Sequence, residues 1–313
     1  MSDKKILALG VAIISVALFV FVNNRQTPVV PDLVNNLDTR SQLAAIDGAG
    51  SGLIGWWKFD EGSGTTVSDS SGNGVSGNLV NSPNWTTGKT GGAVSLNGSN
   101  QGANFGNAVA TNLTSALTMS VWVKPVSSSA GTIMTRGSTQ SSADYTSYQL
   151  RYYTGGRVQM TVSNGTVLLS ITSPSSISAG SWHHIIGVYN GSDTITLYID
   201  GTSIGTKTTA NFGALNSSSG TNSFSIGYNS RGVRDYFGGD IDDARLYNRA
   251  LAPDEISALY NYSDTSALPP PSTSTPPPST TVPDTTAPST PAPISDTIAP
   301  SVPSGLTAAT ISS

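Results

Sequence analysis

The sequence predicts an all-β fold, a two-sheet antiparallel jelly-roll sandwich, and three observations support this prediction. Gly, Ser, Thr and Asn dominate the composition, and these residues favour turns and extended chain over helix. Only two glutamates occur in 313 residues, so strongly helical architectures are disfavoured. Between residues 53 and 262, short alternating runs of polar and apolar residues are separated by turn residues, which is typical of sandwiches and jelly rolls.

The amino-terminal segment predicts a transmembrane helix. Residues 6–22 are an unbroken run of apolar or small side chains, preceded by Lys4 and Lys5. As a helix, these 17 residues would span about 25 Å, close to the thickness of a hydrocarbon core. A cleaved signal peptide also fits, but no small-x-small cleavage pattern follows the run, which favours an uncleaved signal anchor.

The positive-inside rule then gives the orientation. Residues 1–5 carry the two lysines and are expected in the cytoplasm, with the bulk of the chain outside it. The expected location is the cell membrane, with a single pass, or the extracellular medium if the segment is cleaved. Residues 23–52 are polar, contain prolines and show no sustained period, so they are expected to form a tether.

The folded domain is expected over residues 53–262. Residues 117–125 alternate between two faces and end at a proline, which predicts a half-buried strand. The turn dipeptides at Asn190 and Asp200, each followed by glycine, predict a three-strand meander that ends near Thr208. Residues 253–260 begin with proline and two acids, which predicts a helix that closes the domain.

The carboxyl-terminal segment is expected to lack a core. Residues 263–299 are dominated by Pro, Ser and Thr, which predicts a disordered, extended linker. Residues 300–313 resemble the first strand of a fibronectin type III module. These fourteen residues are too few for such a module, so the chain is expected to be a piece of a longer protein.

Charge and cysteine content narrow the possible partners. The formal net charge is −4 with no basic cluster, so nucleic acid is excluded as a partner. The chain contains no cysteine, so disulfides and thiolate metal sites are excluded as well. A bound metal would therefore be a hard cation held by oxygen atoms.

Three motifs identify a family. WWKFDEGSG stands at residues 56–64, DSSGNG at residues 69–74 and GDIDDARLYNRAL at residues 239–251. Together with the meander, they resemble the laminin-G-like jelly roll of the concanavalin A-like lectin/glucanase superfamily, over roughly residues 53–262. The resemblance implies that the first and last strands are neighbours and that a divalent cation binds where they meet.

The candidate cation is Ca²⁺, in a structural role. Its candidate ligands are the carboxylates, the amide oxygen and the turn carbonyl of the two end motifs: Asp69, Gly72, Asn73, Asp242 and Asp243. Two alternatives stay open. The Asp69 loop could be an ordinary turn in which the carboxylate caps backbone amides, and Asp243 could pair with Arg245 or Arg249.

The candidate ligand-binding loop lies just before the last motif. Its aromatic and charged residues could contact a sugar or a protein: Tyr228, Arg231, Arg234, Asp235 and Tyr236. The tyrosines could equally cover sheet surface without binding anything.

Catalysis is not expected. Glucanases of the superfamily carry Glu-x-Asp-x-x-Glu on a strand, and neither Glu61 nor Glu255 has that context. His183 and His184 are adjacent on a predicted strand and so face opposite ways, which favours structural roles. Among so many serines, the sequence nominates no Ser-His-Asp set.

The resemblance thus implies a non-catalytic binding or adhesion module at the cell surface, with a glycan or an extracellular protein as ligand. Two other functions fit the same residues. The domain could be a structural spacer of a larger surface protein, or an accessory module that targets an extracellular hydrolase.

Overall fold

The computed structural model describes residues 51–126, 130–137, 146–217, 223–230 and 235–262. Within these residues the chain forms strands and one α-helix, α1, at Pro253–Asn261. In chain order the strands are β1 (Leu53–Trp57), β2 (Thr66–Val67), β3 (Gly77–Val80), β4 (Asn84–Thr87), β5 (Gly92–Asn97), β6 (Gly102–Asn104), β7 (Leu117–Pro125), β8 (Gly131–Gly137), β9 (Thr146–Tyr153), β10 (Arg157–Ser163), β11 (Leu168–Thr172), β12 (His183–Tyr189), β13 (Thr194–Ile199), β14 (Thr202–Thr208), β15 (Phe224–Ile226) and β16 (Gly238–Tyr247).

The described strands form two antiparallel sheets. Sheet A has the order β14-β13-β12-β7-β16-β5-β4, and β1 pairs with β16 beside β5. Sheet B has the order β11-β10-β9-β8-β15-β6-β3-β2. The prediction of an all-β, two-sheet antiparallel sandwich, consistent with a jelly roll, is confirmed.

The main core lies between the sheets. The rings of Trp57, Phe105 and Phe224 contact one another there, with centroids 4.5 to 5.5 Å apart. Alternation along β9 and β10 supplies further core residues, including Leu150 and Met160, while the residues between them face the other side of sheet B. The sequence pattern of period two thus produces one buried face per strand.

The prediction of a half-buried β7 is wrong, because sheet A is covered on both faces. All of Leu117–Pro125 is buried except Lys124, which is part-exposed. The segment after β16 and α1 cover the outer face: Thr118 Oγ1 donates to the Arg249 carbonyl, and Trp122 stacks on Tyr260 with centroids 5.7 Å apart. A second apolar cluster under α1 completes this layer.

The predicted meander is present as β12, β13 and β14, and it ends at Thr208. Asp200 and Gly201 connect the last two strands at φ 51° and 74°. Positive φ at both positions matches the tight hairpin turn that this dipeptide predicts. The predicted helix is α1, whose first turn is closed by a 2.7 Å hydrogen bond from the Ala252 amide to Glu255.

Several predictions lie outside the described residues: the cytoplasmic start at 1–5, the transmembrane helix at 6–22, the tether, the linker and the fibronectin-like start at 300–313. Within the part of the chain that the structure describes, no helix is long and apolar enough to cross a membrane.

Candidate functional site

A small acidic pocket lies where β16 changes its partner strand. The first part of β16 pairs with β5, up to Ile241 opposite Val94, and the last part pairs with β1, from Ala244 opposite Trp57. Asp242 and Asp243 stand at this change of partner. The acidic pocket is lined by Trp56, Lys58, Asp60, Thr90, Asp242, Asp243 and Tyr262.

A β-bulge explains why two successive carboxylates reach the same pocket. On its other edge, β16 pairs Asp242 with Trp122 and Arg245 with Ser120, so β16 holds one extra residue there. Asp243 stands at this bulge, and its φ is positive, at 48°. Successive residues of a regular strand would face opposite sides of the sheet, and the bulge removes this restriction.

Asp242 is the most unusual group in the pocket. Its side chain is fully buried, and its Oδ2 accepts a 3.0 Å hydrogen bond from the Thr90 amide. Its Oδ1 is buried without a hydrogen-bond partner among the described residues. Burial, with the charges of Asp243 and Asp60, raises the pKa of Asp242 to about 8. The pocket therefore has capacity for one more cation or donor at this oxygen.

Asp243 already has partners. Its Oδ2 accepts a 2.6 Å bond from Arg245, whose guanidinium lies 4.3 Å from the centre of the Trp56 ring. Its Oδ1 accepts from the Trp56 indole. The structure thus shows the Arg245 pairing that the sequence left open, whereas Arg249 pairs with Glu255.

The Asp69 loop adopts the turn that the sequence held as an alternative. Asp69 Oδ1 accepts from the amides of Trp56 and Ser71, at 3.0 and 2.9 Å, and Oδ2 accepts from Val75 at 2.9 Å. Burial alone would raise the pKa of Asp69, but these hydrogen bonds lower it below its ordinary value. Asn73 donates its amide to the Leu53 carbonyl at 2.8 Å.

The two end motifs nevertheless meet at one residue. Trp56 donates its backbone amide to Asp69 and its indole N–H to Asp243. Gly72, with φ of 84°, lies in the turn of the Asp69 loop, and nothing would contact a Cβ there within 4 Å. Binding of Ca²⁺ by Asp69, Gly72 or Asn73 remains a prediction.

Asp60 is a pocket residue that the sequence analysis missed. It follows β1, and its Oδ1 accepts a 2.6 Å hydrogen bond from the Gly92 amide at the start of β5. The signal that could have found it is the pairing of β1 with β16, since a residue just after β1 must then lie near Asp242.

The predicted ligand-binding loop is only partly accessible. The rings of Tyr228 and Tyr236 are stacked with centroids 5.6 Å apart, and Tyr228 is 4 % exposed. Asp235 lies 3.5 Å from Arg151 on β9. Tyr228 is therefore a packing residue, while Tyr236 and Asp235 are part-exposed. Two further predicted residues, Arg231 and Arg234, lie outside the described residues.

A family model for the concanavalin A-like lectin/glucanase superfamily, the laminin G type 3 model, matches residues 97–257, just over half of the chain. The chain belongs to this superfamily. A search of curated proteins found no significant match.

Several solved structures share the fold of this chain, although their sequence identity to it is low. Domain 4 of the extracellular GH43 arabinanase AbnA from Geobacillus stearothermophilus, solved with arabinotriose, has 22% identity and a TM-score of 0.51 over 66% of this chain and 98% of that domain. The binding domain of Paraclostridial Mosquitocidal Protein 1 has 18% identity and a TM-score of 0.53 over 67% of this chain and 52% of that domain. A Trypanosoma rangeli sialidase has 16% identity and a TM-score of 0.52 over 72% of this chain and 37% of that protein.

Because the superfamily includes glucanases, the surroundings of the two glutamates and the two histidines show whether they could form a catalytic site. Glu61 accepts the Ser68 amide in a loop at 2.7 Å, and Glu255 binds Arg249 from α1. The structure also assembles a set that the sequence could not nominate: His183 lies 2.9 Å from Ser178 Oγ and 2.8 Å from Asp200.

Asp200 lies in the β13–β14 turn, and its other hydrogen bonds tie this turn to β12. Asp200 Oδ1 accepts the His184 amide at 2.8 Å, and the Asp200 amide donates to the His184 carbonyl at 2.9 Å. Asp200 therefore fixes the turn in addition to its contact with His183. His184 itself bonds to Ser120 Oγ at 2.9 Å, so both histidines are hydrogen-bonded strand residues.

Gly88→Ala is expected to destabilise the acidic pocket. A Cβ at Gly88 would meet the Gly92 carbonyl at less than van der Waals distance and Asp242 Oδ2 at 2.6 Å. Overpacking of this kind costs about 1–3 kcal/mol. Urea unfolding of the full chain measures it, with Gly238→Ala as the control because its Cβ would make only ordinary contacts. Equal stability of the two variants would contradict the packing described for this loop.

Proposed function

We propose that the chain is a non-catalytic binding or adhesion module, displayed at the cell surface by its amino-terminal segment, which recognises a carbohydrate or protein ligand. The observation that supports this most directly is that the chain forms a jelly-roll domain of a superfamily that contains lectins. This domain matches 98% of an arabinanase domain that was solved with arabinotriose. Toxin binding domains share the fold as well, which favours recognition as the common use.

Calcium is proposed to stabilise the domain at the acidic pocket. The supporting observation is the buried Oδ1 of Asp242, because a buried polar atom without a partner is costly and a cation would satisfy it. Asp243 and Asp60 add negative charge around it.

Other oxygens would have to complete the coordination shell. Within the described residues, no three His, Asp or Glu side chains converge into a complete metal site. Ca²⁺ would therefore also take backbone carbonyls and water, as it commonly does.

The ligand is proposed to contact the part-exposed residues of the predicted loop, Asp235 and Tyr236, with Arg231 and Arg234. A membrane anchor would hold many copies at one surface, so weak single contacts would add up through avidity. Asp235 is held by Arg151 of β9, so the loop has a fixed support on sheet B.

Binding of the full chain to printed glycans and matrix proteins tests this proposal. We expect binding to a small set of glycans in millimolar calcium, reduced at least fivefold for Asp235→Asn. Absence of binding on both arrays would contradict the proposal and favour a structural spacer. Labelling of Ser178 by a fluorophosphonate, lost in Ser178→Ala, would contradict the non-catalytic assignment, because Ser178, His183 and Asp200 are hydrogen-bonded in the order of a serine hydrolase.

A further inference from the structure

The segment that begins at the end of β1 alternates between the main core and the acidic pocket. Trp57 and Phe59 are fully buried in the core. Trp56, Lys58 and Asp60, which alternate with them, line the acidic pocket. Because alternate residues of extended chain face the same side, one short segment brings an aromatic ring, an ammonium group and a carboxylate to the pocket. The two core residues also hold the backbone of Lys58 in place.

Lys58 gives the acidic pocket a positive charge of its own. Its Nζ lies 4.3 Å from the centre of the Trp56 ring, which is the geometry of a cation–π contact. The indole N–H of the same ring donates to Asp243. The ammonium group thus stands over a ring that is itself bound to a carboxylate of the pocket.

A second cation lies over the Trp56 ring, but it is far less able to leave. Arg245 is fully buried, binds Asp243 at 2.6 Å and lies 5.2 Å from the centre of the Tyr262 ring. Lys58 is part-exposed, and a lysine carries a compact, strongly hydrated charge on a flexible stem. Rotation of its side chain alone can therefore carry the Lys58 charge into solvent.

The ammonium group of Lys58 does not satisfy the buried oxygen of Asp242. Although Lys58 lines the same pocket, Asp242 Oδ1 has no hydrogen-bond partner among the described residues. A divalent cation at this oxygen would bring a second positive charge close to the ammonium group. Like charges repel more strongly in a buried pocket than in water, because the effective dielectric constant is lower there. The two positive charges are therefore in competition.

We propose that Lys58 is a built-in competitor of the divalent cation. The pocket holds either the Lys58 ammonium over Trp56 or a divalent cation at Asp242, and binding of the cation moves the ammonium into solvent. The inference rests on the calcium site proposed above and adds the residue that sets its affinity. Lys58 thus raises the calcium concentration at which the domain responds.

Calcium titration of the full chain, followed by isothermal calorimetry, tests the effect on affinity. Lys58→Met removes the charge, and its unbranched side chain can still pack against Trp56. We expect the Kd for calcium to be at least tenfold lower for this variant than for the native chain. Lys207→Met removes the same charge from an exposed position on β14, at the far edge of sheet A, and should leave the Kd unchanged.

Acetylation of the lysines by an N-hydroxysuccinimide ester, quantified at each residue by mass spectrometry, tests the movement of the ammonium group. The reagent reacts faster with an amine that is exposed to solvent. We expect acetylation of Lys58 to be at least threefold faster in calcium than in EDTA, and acetylation of Lys207 to be unchanged. Asp242→Asn, which cannot supply the carboxylate, should remove the change at Lys58.

The outcomes separate this inference from the calcium site itself. If calcium binds the native chain and Lys58→Met with the same Kd, the inference fails and the calcium site stands. A lower Kd for Lys58→Met with constant acetylation of Lys58 would overturn the exchange, because the ammonium would then stay in the pocket. If neither protein binds calcium at millimolar concentration, both the inference and the calcium site are overturned. Calcium binding by Lys58→Met alone would support the competition and overturn calcium stabilisation of the native chain.

Discussion

Millimolar calcium is expected to raise the melting temperature of the full chain by about 5 to 10 °C over the value in EDTA, and Asp242→Asn is expected to remove that rise. A ligand at one hundred times its Kd stabilises the folded state by about 2.7 kcal/mol, and for a domain of this size each kcal/mol shifts the melting temperature by about 2–4 °C. Asn keeps the shape of Asp242 and can still accept from Thr90, but it carries no charge. The variant should therefore be at least as stable as the native chain without calcium, because it has no buried carboxyl to ionise, and it should lose the response to calcium.

Asp69→Ala separates the two candidate ligand sets. In the structure, Asp69 accepts three backbone amides, and each lost hydrogen bond costs about 1 kcal/mol or more. The variant is expected to lose about 3 kcal/mol with or without calcium, and to keep the calcium response. If Asp69→Ala also removes the response, the ligands include the DSSGNG turn, as the sequence motif predicts. An unchanged melting temperature of the native chain in calcium would rule out the calcium site.

Local patterns predicted the strands and turns well, because the energies that select them are local. The alternation in β7, the turn at Asp200 and the helix that starts at Pro253 each depend on a few neighbouring residues. The environment of β7 could not be predicted in this way. Its second face is buried by Tyr260 and the segment after β16, which lie more than 120 residues away in the chain.

The candidate sites show the same limit. Asp242 and Asp243 were predicted from their motif, but the bulge that directs both into one pocket depends on pairing with β7. Asp60 enters the pocket only because β1 and β5 share one edge of β16. Tyr228 looked available in the sequence, yet stacking on Tyr236 buries it.

The second large effect is expected at acid pH, from His184. Burial, reinforced by the charges of Arg245 and Lys89, lowers the pKa of His184 from 6.5 to about 3. In the folded state the ring packs against both Trp122 and Tyr260 and stays neutral, whereas in the unfolded chain it binds a proton below pH 6.5. Its contribution to stability is therefore complete above pH 6.5 and is lost as the pH falls toward 3. At pH 4.5 the loss amounts to about 3 kcal/mol.

His184→Phe isolates this contribution, because phenylalanine keeps the aromatic stack and cannot bind a proton. We expect the variant to be about 1 kcal/mol less stable than the native chain at pH 7.5, since it loses the bond to Ser120, and more stable than the native chain at pH 4.5. The raised pKa of Asp242 has the opposite effect, because it stabilises the fold as the pH falls from 8 to 4. The pH dependence of one protein alone therefore does not isolate His184. The difference in free energy of unfolding between the native chain and His184→Phe does isolate it, because Asp242 is present in both. Urea unfolding in EDTA at the two pH values measures this difference, with His183→Gln as a control that leaves His184 in place.

A difference that stays constant between pH 7.5 and 4.5 would contradict the prediction. It would mean that His184 is protonated in the folded protein and that the layer under α1 admits a charge.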